Sequence, residues 1–177
     1  MKVFTGLSML EGFAAWFIKF YLPPMIANAM PVLVKGKLQI DKGAVFIDGK
    51  PVFGSNKTLE GLISGVVGSY IAGSAVGFLF EDPHLPLLSM GAGFAALLGD
   101  LAGAFIKRRL GLKPGEPLIP LDQLDFALAS TAFYYVTSSS QFTANPMYIV
   151  AALVLIFVLH VATNYTAYLL GLKQAKL

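Results

Sequence analysis

The sequence predicts an all-α integral membrane protein of about five transmembrane helices, with a small β-hairpin in its first cytoplasmic loop. Three observations carry this reading. The 177 residues are 56% hydrophobic and 13% charged, about half the charged share of an ordinary soluble domain. Mean hydropathy is +0.70, and a soluble fold of this length has too little interior to hide that much apolar surface. The apolar residues also fall in runs close to the ~20 residues that a helix needs to cross a bilayer core. The length suits one integral membrane domain over residues 1–177, and the lack of cysteine excludes disulfides and thiolate metal sites.

The first apolar segment covers residues 4–34 and is expected to break or kink at Pro23-Pro24, where helical hydrogen bonds are lost. Prolines follow it instead of a small-residue cleavage site, so it reads as a retained span. Residues 59–80, 85–106 and 147–170 are clear spans, and residues 124–139 form a shorter one with Ser and Thr. Small residues recur every fourth position in two of them: Gly61, Gly65, Ser69, Gly73 and Gly77, then Gly91, Ala95, Gly99 and Gly103. Such ridges let helix backbones approach closely, and can also leave room for a lipid tail or a ligand.

Charge sets the orientation. Lys35, Lys37, Lys42, Lys50 and Lys57 follow the first span; Lys107, Arg108, Arg109 and Lys113 follow the third; Lys173 and Lys176 follow the fifth. An odd number of spans places all three groups on one side, opposite Lys2, Glu81, Asp82 and His84, and the positive-inside rule makes that side the cytoplasm. Within the first loop, Val45-Phe46-Ile47 and Pro51-Val52-Phe53 flank Asp48-Gly49, a two-residue turn signal that predicts a hairpin resting at the interface.

Residues 107–122 form a cationic stretch bounded by Asp100 upstream and by Asp122 and Asp125 downstream. Mixed charge gathered between apolar segments suggests a metal-plus-polyphosphate site at a membrane surface. Asp100 and Lys107 are seven positions apart, which returns to nearly the same helix face, and a carboxylate inside a span is usually functional. Asp122 and Asp125 share a face at the start of their helix, where capping is the competing role. Together the three aspartates suit Mg²⁺, which takes oxygen ligands and leaves room for substrate phosphates. Two histidines and no cysteine make zinc a poor fit.

The cations would bind phosphates, with headgroup anchoring as the alternative. Arg109, about 100° around the helix from Arg108, is the one expected to anchor. Pro114-Gly115, Pro117 and Pro120 are expected to turn the chain and return Lys113 to the bundle. Asn56, Lys57 and Thr58 open the second span, where a lysine at a helix N-terminus makes an anion site, or where Asn56 or Thr58 only caps the helix. The two-glycine nucleotide-loop pattern is absent there. Asn28, one turn before Pro31, is an amide able to read a base or a ribose. Glu11 with Lys19, and His160 with Asn164, read as structural partners within or between helices. A small transporter that uses Glu11, Lys19, Asp100 and His160 as an ion path is the rival class.

The run Gly99-Asp100 … Phe105-Ile-Lys-Arg-Arg-Leu-Gly-Leu-Lys-Pro-Gly115 … Pro120-Leu-Asp-Gln-Leu-Asp-Phe126 resembles the core motif of the archaeal CDP-archaeol synthase family. Ala27-Asn-x-x-Pro31 and Gly54-x-x-Lys-Thr-x-x-Gly61 resemble it too, so the likeness covers nearly the whole chain in order. It implies a multi-pass, Mg²⁺-dependent cytidylyltransferase. The implied partners are CTP, an unsaturated ether-lipid phosphate and the membrane lipid, with no nucleic acid. Asp100, Asp122 and Asp125 would hold metal, and Asp100, Lys107, Lys113, Asp122 and Asp125 would be catalytic. Asn28, Asn56, Lys57, Thr58, Lys107, Arg108 and Lys113 would bind substrates. A looser similarity links the chain to bacterial phosphatidate cytidylyltransferases, which act on ester lipids. This chain lacks their His-Gly-Gly segment and has Gln123 where they carry arginine.

Overall fold

The computed structural model describes residues 2–34 and 36–169. Seven helices follow in order: α1 (Lys2–Phe20), α2 (Leu22–Val34), α3 (Leu59–Leu79), α4 (Leu85–Arg109), α5 (Leu121–Thr137), α6 (Ser139–Thr143) and α7 (Pro146–Leu169). Three of them are long and apolar enough to cross a membrane: α3, α4 and α7. The pair α1–α2 makes a fourth if its 47° bend is taken as one broken span.

Five spans are therefore not supported. The segment expected as the fourth is α5, only 17 residues long, with Asp122, Gln123 and Asp125 in its first turns. It packs among its neighbours through buried Phe126, Ala127 and Tyr134. The first segment breaks at Tyr21, just ahead of the expected prolines. Pro23 and Pro24 lie in the first turn of α2, where a missing N–H costs nothing, but they cannot donate to the carbonyls of α1. Lys35, Lys173 and Lys176 lie outside the described residues, as does the side chain of Asn164.

Small residues set the packing. Pro31 deprives the Ala27 carbonyl of its helical donor. The bare Cα of Gly65 on α3 lets that carbonyl approach, and a Cβ there would also strike Leu97 of α4. One turn on, the Ser69 hydroxyl donates to the Ser89 carbonyl of α4 at 2.6 Å. The glycine ridge of α3 is thus filled by α2 and α4. Phe20, Tyr21, Tyr134 and Phe142 form a buried aromatic core, capped by Trp16 stacked at 5.2 Å on Phe142.

The expected β-hairpin is also not supported. The chain does reverse at Asp48-Gly49, with Gly49 at φ 74°, but the described residues form no strand, only isolated antiparallel bridges at Val45–Pro51 and Gln39–Thr58. The reason is competition for backbone groups. Pro51 has no N–H to extend a ladder. Asp41 takes the N–H groups of Phe53 (2.9 Å) and Gly54 (3.2 Å), and Arg109 takes the carbonyls of Lys50 and Pro51. Burial opposes the charge on Asp41, but donation from the backbone of Phe53, Gly43 and Gly54 outweighs it and holds that carboxyl below its ordinary range.

The two ends of the bundle differ. At one end the α3–α4 turn is tied to α1 by Lys19, which reaches Asp82 at 2.8 Å and Gln141 at 2.9 Å. Lys19 thus pairs with the turn, while Glu11 is exposed. The other end gathers the N-termini of α3 and α5, the C-terminus of α4 and the loop 36–57 around a cavity.

Candidate active site

The cavity has a volume of about 540 Å³. The N-termini of α3 and α5 open onto it, so the positive ends of two helix dipoles favour an anion there. Helix periodicity places the charges. Asp100 and Lys107 both reach the wall from α4, and Asp122 and Asp125 both reach it from α5. Arg108 lies on the wall, whereas Arg109 does not.

Two carboxylates are paired with lysines. Lys57 Nζ donates to both oxygens of Asp100, at 2.6 and 2.5 Å, and Lys107 Nζ donates to both oxygens of Asp122, at 2.9 and 2.7 Å. Asp122 also accepts the Leu118 N–H at 2.9 Å, which fastens the loop before α5. Asp125 is only 9% exposed. It fits because α4 carries no side chain opposite it: a Cβ on Gly103 would overlap Asp125 Oδ2, and one on Gly99 would overlap the Asp125 carbonyl. Three cationic side chains (Lys57, Lys107, Arg108) thus face three carboxyl groups on the described wall.

Arg108 is 4% exposed, donates to the Leu112 carbonyl at 2.6 Å, and keeps a buried Nε without a hydrogen-bond partner. Gln123 is 1% exposed and its Oε1 is likewise buried and unpartnered. Buried polar atoms left unsatisfied beside a cavity suit a site completed by a ligand. Asn28 lines the wall, and Asn56 is exposed there. Thr58 lines it as well, but its hydroxyl accepts the Gly61 N–H at 3.2 Å and so caps α3.

Two residues depart from expectation. Lys113 is exposed and off the wall; the chain passes it with only its N–H held, by Glu116 at 2.9 Å, while Pro114, Gly115 and Pro117 take the lining positions. Arg109, expected at headgroups, is engaged by the loop 36–57. It bonds Asp48 at 2.9 Å and lies 4.8 and 4.7 Å from the Phe46 and Phe105 ring centres. Sequence reasoning gave His160 a structural role, yet it lines the cavity from α7 with its ring 6.3 Å from that of Phe126. Gln123 also went unread as a lining residue, although it shares the first turn of α5 with Asp122. Arg108→Ala is expected to depress activity far more than Arg109→Ala, whose main effect is a lower thermal midpoint as the loop 36–57 loosens. Assay and melting curve on the same preparations check the order.

Apolar helices long enough to cross a membrane, with a charge-lined cavity at one end, fit the architecture of an intramembrane enzyme. The comparisons agree. Residues 10–177 match the family described as CarS-like, CDP-archaeol synthase. The CDP-archaeol synthase of Staphylothermus marinus is 48% identical over 164 residues, 93% of each chain. That of Aeropyrum pernix is 44% identical over 161 residues, 86% of each. A solved structure described as an intramembrane enzyme for archaeal membrane lipid biosynthesis superposes with a TM-score of 0.75 at 37% identity, covering 84% of this chain and 91% of the other. The chain belongs to the CDP-archaeol synthase family.

Proposed function

We propose that the protein transfers CMP from CTP to an unsaturated archaeal ether-lipid phosphate, giving CDP-archaeol and pyrophosphate at the cytoplasmic face of the cell membrane. The observation that carries this is the cavity where Lys57, Lys107 and Arg108 meet Asp100, Asp122 and Asp125, in a chain of this family. The lipid phosphate oxygen attacks the α-phosphorus of CTP, and the bond from that phosphorus to the β-phosphate bridge breaks. The nucleophile is already an anion, so no strong general base is needed. The protein's task is charge neutralisation and in-line alignment.

Lys57, Lys107 and Arg108 bind the phosphates. Asn28, with Asn56 beside the mouth, contacts the nucleoside, and Thr58 holds the α3 terminus that faces it. Lys113 reaches substrate only if its loop folds inward. Asp100, Asp122 and Asp125 would hold Mg²⁺. Among the described residues no three acidic or histidine side chains are gathered as a ready-made metal site. The oxygen-only donors nevertheless fit an ion that takes one or two carboxylates and completes its shell with phosphate and water. Bound there, Mg²⁺ would neutralise phosphate oxygens and stabilise the departing pyrophosphate.

Because Lys57 and Lys107 already hold two of the carboxylates, nucleotide and cation should bind together: phosphates draw the lysines away and free Asp100 and Asp122. CTP with Mg²⁺ is expected to raise the melting temperature well beyond the sum of either alone. An additive effect would refute this exchange. Cytoplasmic placement is supported by Lys37, Lys42, Lys50 and the 107–113 cations at the cavity end, against Glu81 and Asp82 at the other. The ion-path rival loses force because Lys19 is bound to Asp82 at the far end, away from Asp100.

The deciding experiment gives purified protein CTP, Mg²⁺ and either an ether or an ester lipid phosphate, with products read by mass. CDP-lipid from the ether substrate is expected. Product from the ester alone would indicate a phosphatidate enzyme, and none from either would reject the reaction.

A further inference from the structure

Among the large apolar side chains of the loop 36–57, two are turned outward most fully. Ile47 is 94% exposed and Val45 65%. Neither is the tip of a loose loop. Asp48 Oδ1 accepts from Arg109 at 2.9 Å, Lys50 Nζ donates to the Arg109 carbonyl at 2.8 Å, and Phe46 meets Phe105 edge-on at 5.2 Å. The turn is thus bolted to the last turn of α4, and Ile47 is held where it is.

That last turn is where the apolar run of α4 ends. Ile106 is its final apolar residue before Lys107, Arg108 and Arg109, so Phe105 marks the edge of the hydrocarbon layer. Phe46 lies beside Phe105, which puts the turn at the same depth. Exposed Ile106 and, at 61%, Leu110 continue the apolar surface on α4, and exposed Lys42 adds a cation on the loop. Apolar side chains at the hydrocarbon boundary with basic residues beside them are the pattern of an interfacial anchor.

We infer that Val45 and Ile47 insert into the lipid leaflet on the cavity side, so that the loop carrying Lys57 is held against the bilayer surface. The occupant of this apolar tip is lipid. The loop ends in Lys57 and Thr58, so anchoring its tip keeps one wall of the cavity at the depth where a lipid phosphate lies.

The chain has no cysteine, so single cysteines can be introduced and spin-labelled cleanly. Four variants in lipid nanodiscs suffice: Val45→Cys, Ile47→Cys, Leu98→Cys on the exposed middle of α4, and Ser55→Cys beside the cavity. Relaxation by oxygen, which concentrates in lipid, is compared with relaxation by a water-soluble nickel chelate. Labels at 45 and 47 are expected to group with 98, oxygen-accessible and nickel-shielded. Grouping with 55 would overturn the inference, since the tip would then be in water. Shielding from both reagents would also overturn it, because protein and not lipid would cover the tip.

Discussion

Asp100→Asn is expected to lower CMP transfer by about 10²–10³-fold, the usual cost of removing one electrostatic contact from a preorganised site. The substitution keeps size and an oxygen for Lys57 but removes the charge. In the resting protein Lys57 is then left without its ion pair at 25% side-chain exposure, so it has less reason to wait in place. The assay is CDP-lipid formation from labelled CTP in membranes. The same variant should lose most of the joint stabilisation by CTP and Mg²⁺. Near-normal transfer would remove Asp100 from the metal-holding role and leave it as a partner of Lys57 only.

The second large effect comes from a residue with no side chain. Gly103→Ala places a methyl group where Asp125 Oδ2 now lies, and the obstructing atoms sit on the short side chain of Asp125 itself. Either the carboxylate swings out of position or α4 and α5 separate. Misplacing a catalytic group by ~1 Å can cost about 10²-fold, so a loss of that order is expected. Gly91→Ala is the control. Its added methyl meets the ring of Phe133, also across the α4–α5 contact but at the far end from Asp125. It should lower the melting temperature while transfer survives. Equal activity losses at both positions would show that Gly103 acts only through helix packing.

The residues show which parts of this architecture were legible. Facing is a local property of a helix, so the seven-residue spacing of Asp100 and Lys107 and the three-residue spacing of Asp122 and Asp125 read correctly, as did the turning away of Arg109. Partnership is not local. Lys57 and Asp100 are 43 positions apart, and no periodicity joins a loop lysine to a span aspartate. The same limit hid the destination of Arg109, which depends on where the loop 36–57 comes to rest. The hairpin was over-read because turn chemistry reports the reversal at Asp48-Gly49 and says nothing of side chains that take the strand's hydrogen bonds. The fourth span was over-read from a hydropathy that describes a helix buried by protein as well as one facing lipid. Glycines at every fourth position announced close packing, but the carboxylate seated against Gly103 could not be read from spacing alone.

The even match of cationic side chains and carboxyl groups around the cavity has a consequence for the end of the cycle. A bowl of uncompensated positive charge would cling to pyrophosphate after the bond has broken. In the proposed reaction Lys57 and Lys107 would have aspartates to return to, so the departing anion would compete with the protein's own acids for its last contacts. The wall would then reset itself as the product leaves.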